Sequence, residues 1–220
     1  MAETARIQKP RFSRQTLLIL AGIAVIGAVA PFVEASLTSQ MTVFWIMVLL
    51  SYTWDTMGGQ MGYNSFGNVV FFGIGMYVAA MIQVGLYTDL AAYNAAKGGI
   101  KLTLTHGQYF TGLAIGLAAA GVAGFFAALL IGSGILGLRG HYFAIGTLAL
   151  GIFVAELASG WELIGAGSGM VPPQFPGGLA ERGLLFYYLC FVLAGLTFLV
   201  LQWVYSRRFG LALNAIRDDE

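Results

Sequence analysis

Six long apolar runs, separated by short polar or glycine-rich breaks, constrain this chain more than any other feature. They are Thr16–Val33, Met41–Met57, Gly67–Tyr87, Tyr109–Ile131, Tyr142–Ser159 and Leu184–Tyr205. A helix needs about 20 apolar residues to cross about 30 Å of hydrocarbon, where it closes its own backbone hydrogen bonds. Each run meets that requirement. Composition agrees: 58% of the residues are hydrophobic and 10% charged, against about 25% charged in soluble domains. So few charges cannot cover a water-facing globule. The expected fold is all-α, a polytopic membrane helical bundle of about six transmembrane helices, one of whose junctions is Gly-rich and interrupted.

The basic residues orient this map. With the N-terminus inside, Arg6, Lys9, Arg11, Arg14, Arg139, Arg207, Arg208 and Arg217 fall on the cytoplasmic side, and Lys97, Lys101 and Arg182 outside. That bias follows the positive-inside rule, and shifting the frame by one span would misplace Arg139 and the Arg207–Arg208 pair. The first run has a second reading, a signal peptide with Ala28-Val29-Ala30 as its cleavage site, but Pro31 directly after it argues against cleavage. Glu34–Gln40, Thr88–Gln108 and Gly160–Gly183 read as outer connections, the last two punctuated by Gly98-Gly99, Pro172-Pro173 and Pro176.

Several function classes drop out. A net charge of +1 gives no reason to expect a nucleic-acid partner. A single cysteine, Cys190, allows no internal disulfide and reads as a small apolar residue in its run. His106 and His141 have no Cys or carboxylate at ligand spacing, so no metal site is expected. An enzyme would need His or carboxylate groups clustered at one interface. A self-contained channel or secondary transporter would need a coupling residue near mid-membrane, and neither Asp55 nor Glu156 lies there.

Two patterns carry positive information. Gly112, Gly116, Ala120, Gly124, Ala128 and Gly132 recur every fourth residue, which predicts a ridge along which a neighbouring helix approaches closely. The stretch Gly58–Asn68 is polar and glycine-rich between two apolar runs. Either it is broken backbone lining a permeation path, tolerated at membrane depth only where protein or water covers it, or it is an ordinary cytoplasmic turn. On the first reading Gln60, Asn64, Ser65 and Asn68 are path candidates. Asp55 and Glu156, each about one turn from a span end, join them as intramembrane carboxylates, or else they snorkel to the interface.

The runs Ser51-Tyr-Thr-Trp54-Asp55 and Gly62-Tyr63-Asn64-Ser65-Phe66-Gly67-Asn68, continuing to Tyr77, resemble permeases of branched-chain amino acid ABC importers, most closely the LivM-type subunit. Leu138-Arg139-Gly140-His141-Tyr142-Phe143-Ala144-Ile145 with Thr147-Leu148-Ala149, and Gly165-Ala-Gly-Ser-Gly169-Met170, are similar to two further family blocks. Arg207-Arg208-Phe209-Gly210 through Ile216-Arg217-Asp218-Asp219-Glu220 resembles the cytoplasmic motif that docks on the ATP-binding subunit. The pattern departs at Asn68 (usually His), Asn214 (often Arg) and Ile164 (usually Thr). The resemblance also implies that relatives continue beyond residue 220, so that this chain is C-terminally truncated relative to them.

What the resemblance implies is a bacterial inner-membrane permease with a cytoplasmic N-terminal segment (1–15), a transmembrane domain (16–205) and a coupling segment (206–220) incomplete at its C-terminus. Arg208, Gly210, Leu213, Ile216, Arg217 and Glu220 are the coupling candidates. The implied partners are a second permease subunit, two ATP-binding subunits and a periplasmic binding protein. No Walker sequence is present, so ATP would be bound by those partners, with no cofactor in this chain. Related systems carry urea or short amides, which the sequence does not separate from branched-chain amino acids.

Overall fold

The computed structural model describes residues 14–96, 102–207, 209, 210, 212, 213 and 215. The main α-helices among the described residues are α1 (Arg14–Val33), α2 (Thr38–Asp55), α3 (Asn68–Gly85), α4 (Leu90–Ala95), α5 (His106–Ile135), α6 (Gly140–Gly160) and α7 (Leu179–Tyr205). A π-helical turn, Thr56–Gln60, extends α2. No strand occurs among the described residues. Every helix but α4 is long and apolar enough to cross a membrane, and only 6–22% of each apolar window is buried within the chain. The apolar surface therefore points outward, as a lipid-solvated bundle requires and a water-soluble one forbids.

The chain divides into two compact units, Met1–Gly62 with Leu179–Glu220, and Tyr63–Gly178. The first contains α1, α2, the π-turn and α7. Within it α2 packs on α7, with Trp45 edge-on to Phe191 at 4.9 Å and Tyr52 near Phe198 at 6.0 Å. Helix α1 contains Pro31. Proline has no N–H, so the carbonyl four residues earlier, that of Gly27, loses its helical donor. The Tyr187 hydroxyl of α7 replaces it, donating to Gly27 O at 2.6 Å, and Tyr188 donates to the adjacent Ala28 O at 2.8 Å. Both Pro31 and Tyr187 are fully buried. Gly27 itself must be small, because a Cβ there would lie 2.6 Å from the Phe191 ring. The run Ala28-Val29-Ala30 thus lies inside a continuous helix docked on α7.

The second unit is built on an antiparallel pair, α3 and α5, in a four-residue register. Gly75 faces Ala120, Ala79 faces Gly116 and Gln83 faces Gly112. A Cβ on Gly116 would come within 2.9 Å of the Ala79 carbonyl oxygen, and one on Gly112 within 3.1 Å of Gln83. The same register brings the Gln83 amide to donate to Tyr109 O at 3.4 Å and the Tyr87 hydroxyl to Gln108 O at 2.9 Å. Close approach covers only this half of the small-residue ridge. A Cβ on Gly124 would meet nothing within 4 Å, one on Gly132 only Leu136 of its own helix, and Ala128 is exposed.

The connections are more structured than punctuation alone suggests. Glu34–Gln40 is no free loop: a 3-10 turn, Ala35–Leu37, leads directly into α2, because the stretch holds no Gly or Pro to stop a helix. The 88–108 connection contains α4, N-capped by Asp89, whose carboxylate accepts from Ala92 N at 2.7 Å. Helix α5 starts three residues before its apolar run, at a capping box of Thr105 and Gln108.

Replacing Tyr187 by Phe removes the donor that Pro31 makes necessary, and an orphaned carbonyl costs about 1–3 kcal/mol. Thermal unfolding in detergent should show that loss in Tyr187→Phe. It should be largely absent in Pro31→Ala/Tyr187→Phe, where the helix regains its own donor.

Candidate functional site

The glycine-rich stretch is a true interruption. After the π-turn the backbone from Met61 to Gly67 is non-helical, and α3 begins at Asn68. Local packing fixes its glycines. A Cβ on Gly58 would sit 2.8 Å from the Trp54 ring, and one on Gly59 would overlap the Asp55 carboxylate, which lies across that backbone. Gly62 has φ of 78°, in the left-handed region that side chains avoid.

Beyond Gly62 the strand-like segment leaves backbone donors without helical acceptors, and α6 supplies one. Phe66 N–H donates to Thr147 Oγ1 at 3.1 Å, while the Thr147 hydroxyl donates to Ala144 O at 3.0 Å. Gly67 N–H donates to Ser65 Oγ at 3.2 Å. Ser65 and Thr147 are buried, 4% exposed each. The Tyr63 ring meets Phe143 edge-on at 4.9 Å. Two stretches some eighty residues apart in sequence, Tyr63–Gly67 and Phe143–Thr147, thus form one packed junction.

At the other end of α6 the chain turns through a compact knot. Gly165, Ala166 and Gly169 have φ of 87°, 47° and 71°, and a Cβ on Gly165 would overlap the Gly169 carbonyl. Helix α4 holds this loop: the Asn94 side-chain amide donates to Leu163 O, and the Tyr93 hydroxyl to Val171 O at 3.1 Å. Burial pushes the Tyr93 phenol above its ordinary pKa, which keeps it protonated and donating.

Between α3 and α6 runs a groove of about 1130 Å³. Its walls are apolar, with Val69, Ile74 and Tyr77 on α3 and Val154 on α6, and the Ala166–Gly169 loop closes one end. Glu156 also lines it. Among the described residues, no three His, Cys, Asp or Glu side chains converge as a metal site would require.

The path candidates divide between the units. Asp55 ends α2 and Gln60 ends the π-turn in the first unit. In the second, Ser65 is buried in the Thr147 junction, Asn64 is exposed, and Asn68 opens α3 beside the groove residue Val69. Glu156 is exposed on α6, about 13.5 Å along the helix from Thr147. Of these candidates Glu156 lines the groove, Asn68 directly precedes the lining residue Val69, and Ser65 is turned into the Thr147 junction.

Of the coupling candidates, Gly210 and Leu213 are buried in the first unit. Arg208, Ile216, Arg217 and Glu220 lie outside the described residues. Gly210 packs on the chain just before it, where a Cβ would overlap the Tyr205 carbonyl, and its N–H donates to Arg207 O at 3.0 Å. Among the described residues of this segment Leu213 is buried and Phe209 is exposed.

Residues 36–220 match the family model described as branched-chain amino acid transport system / permease component. The chain belongs to this family. It is a multi-pass membrane permease of a branched-chain amino acid type ABC transport system. No curated protein and no solved structure matches the chain. In the permease, Asn94 and Tyr93 hold the loop at one end of the groove and were not singled out from sequence, whereas Thr147 stood in one of the blocks that resemble the family. A hydroxyl in an apolar run was the available signal for Thr147, since buried polar groups in lipid need partners.

Thr147→Val keeps the shape and removes the acceptor of Phe66 N–H, at a cost of about 1–3 kcal/mol. Hydrogen exchange at the Phe66 amide should accelerate accordingly in Thr147→Val and stay near wild type in Thr147→Ser.

Proposed function

We propose that this permease, as a LivM-type subunit of a bacterial inner-membrane importer, carries branched-chain aliphatic amino acids along the α3–α6 groove. The observation that supports this substrate class is the groove's lining: apolar walls with one carboxylate. Val69, Ile74 and Val154 suit an isobutyl or isopropyl side chain, and Glu156 suits the substrate ammonium, a charge-assisted contact. Urea or a short amide would gain little from such walls. Asn68 directly precedes the groove residue Val69, and Asp55, Gln60, Asn64 and Ser65 are the further path candidates.

A periplasmic binding protein delivers substrate to the loops holding α4 and the Gly165 knot. A second permease subunit completes the pathway, and two ATP-binding subunits engage the segment from Arg208 through Gly210, Leu213, Ile216 and Arg217 to Glu220. This segment, 206–220, acts as the coupling element of the transmembrane domain 16–205, and the N-terminal 1–15 lies in the cytoplasm. Catalysis resides in the ATP-binding subunits. Small residues from Gly112 to Ala120 fix α5 against α3, and Gly124 and Ala128 remain open to a neighbouring helix.

In proteoliposomes holding the assembled transporter, ATP should drive leucine uptake and not urea uptake. Glu156→Gln should weaken leucine transport about ten-fold, the scale of one charge-assisted hydrogen bond. Ile74→Trp, which fills the groove, should reduce it at least as far. Preferential urea uptake, or normal leucine uptake in both variants, would rule the assignment out.

A further inference from the structure

Helix α7 ends at Tyr205, and the next residues tighten around it: Ser206 N–H donates to Gln202 O and Arg207 N–H to Val204 O. The Arg207 guanidinium stacks over the Trp203 ring at 5.0 Å, holding the second residue past the helix against it. Gly210 then returns onto the Tyr205 backbone, close enough that no side chain fits between them. Any displacement of the segment beginning at Phe209 is therefore borne first by Tyr205.

The Tyr205 side chain reaches α2. Its hydroxyl lies 2.8 Å from Thr56 Oγ1. A threonine hydroxyl carries one proton, and that of Thr56 is directed to Tyr52 O at 3.1 Å. Tyr205 is accordingly the donor, in a chain from Tyr205 O–H to Thr56 O–H to Tyr52 C=O. Tyr52 O also accepts the Thr56 backbone N–H. Thr56 is thus the residue at which α-helical bonding ends, and the π-turn starts there.

A π-turn is a wider, less favourable winding that occurs as isolated turns, often where function needs a yielding element. This one contains Gly58 and Gly59, the least conformationally restrained residues available. Trp54 and Asp55 lie against those glycines, so rewinding the turn moves both side chains.

Resting on the transport reading above, we propose that Tyr205 and Thr56 are positioning residues that carry movement of the C-terminal segment into the π-turn. The path runs from Gly210 through the Tyr205 backbone and the hydroxyl pair to Thr56–Gln60. Tightening the turn toward α-helical winding shifts Asp55 and the start of the interrupted segment. Neither hydroxyl touches substrate.

The test uses the assembled transporter in proteoliposomes, measuring ATP hydrolysed and leucine imported. Tyr205→Phe and Thr56→Val each remove the pair while keeping the side-chain volume. The expected result is that each raises the ATP spent per leucine about five-fold, the scale of one hydrogen bond, with hydrolysis itself retained. The double variant should be no worse than either single, and Thr56→Ser should keep the wild-type ratio. If Thr56→Val does not assemble, Tyr205→Phe and Thr56→Ser decide the matter alone. A working wild-type transporter with an unchanged ratio in Tyr205→Phe overturns the pair's role, as does a double variant whose effect is the product of the singles. An inert wild-type complex overturns the transport reading and the pair with it.

Discussion

Hydrocarbon offers nothing to a backbone N–H or C=O, so a helix that loses a backbone partner in the apolar region must find a side chain to replace it. At Pro31 the orphaned Gly27 carbonyl is met by Tyr187. At the break before α3, Phe66 N–H is met by Thr147 and Gly67 N–H by Ser65. Among the described residues the buried polar side chains are Thr38, Ser65, Gln83, Asn94 and Thr147, and each makes a hydrogen bond. In the second unit Ser65, Gln83, Asn94 and Thr147 form a small polar skeleton among buried residues that are otherwise mostly apolar.

That skeleton gives the permease its division of labour. The α3–α5 pair is locked by small residues approaching to backbone contact, which needs no hydrophobic drive between helices. Helix α6, pinned at Thr147 and at the Gly165 knot, stands off from α3 and leaves the groove. Its walls are apolar and carry one carboxylate, Glu156. The first unit carries the glycine-bearing π-turn, and there Gly210 packs against the Tyr205 backbone.

Much of this was legible in the chain. Span number and type followed from run length, because crossing hydrocarbon leaves a sequence little choice. The observed helices begin up to five residues before the apolar runs, as at Leu179 against Leu184, because capping and turn chemistry set the ends rather than hydropathy. The Thr105/Gln108 capping box was such a signal. The interruption at Gly58–Gly67 was visible in its glycines, but its π-winding was not, since that depends on Trp54 and Asp55 lying over those glycines. The small-residue ridge was visible on α5, yet only the half opposite Gly75, Ala79 and Gln83 is used, and that register is a tertiary choice. Among the site residues, Ser65 and Glu156 stood out by polarity, while Thr147 stood in a motif block whose bond to Phe66 N–H only the folded chain reveals.

The most direct test of the six-span arrangement is sidedness. In a Cys190→Ser background, single cysteines at Gly137 and Phe209 and at Ala95 and Val171, all exposed positions, would be labelled with a membrane-impermeant maleimide in intact spheroplasts. Ala95→Cys and Val171→Cys should label directly, and Gly137→Cys and Phe209→Cys only after the membrane is permeabilised. Direct labelling at Gly137 or Phe209 with protection at Ala95 and Val171, or any other mixing of the two pairs, would contradict the arrangement.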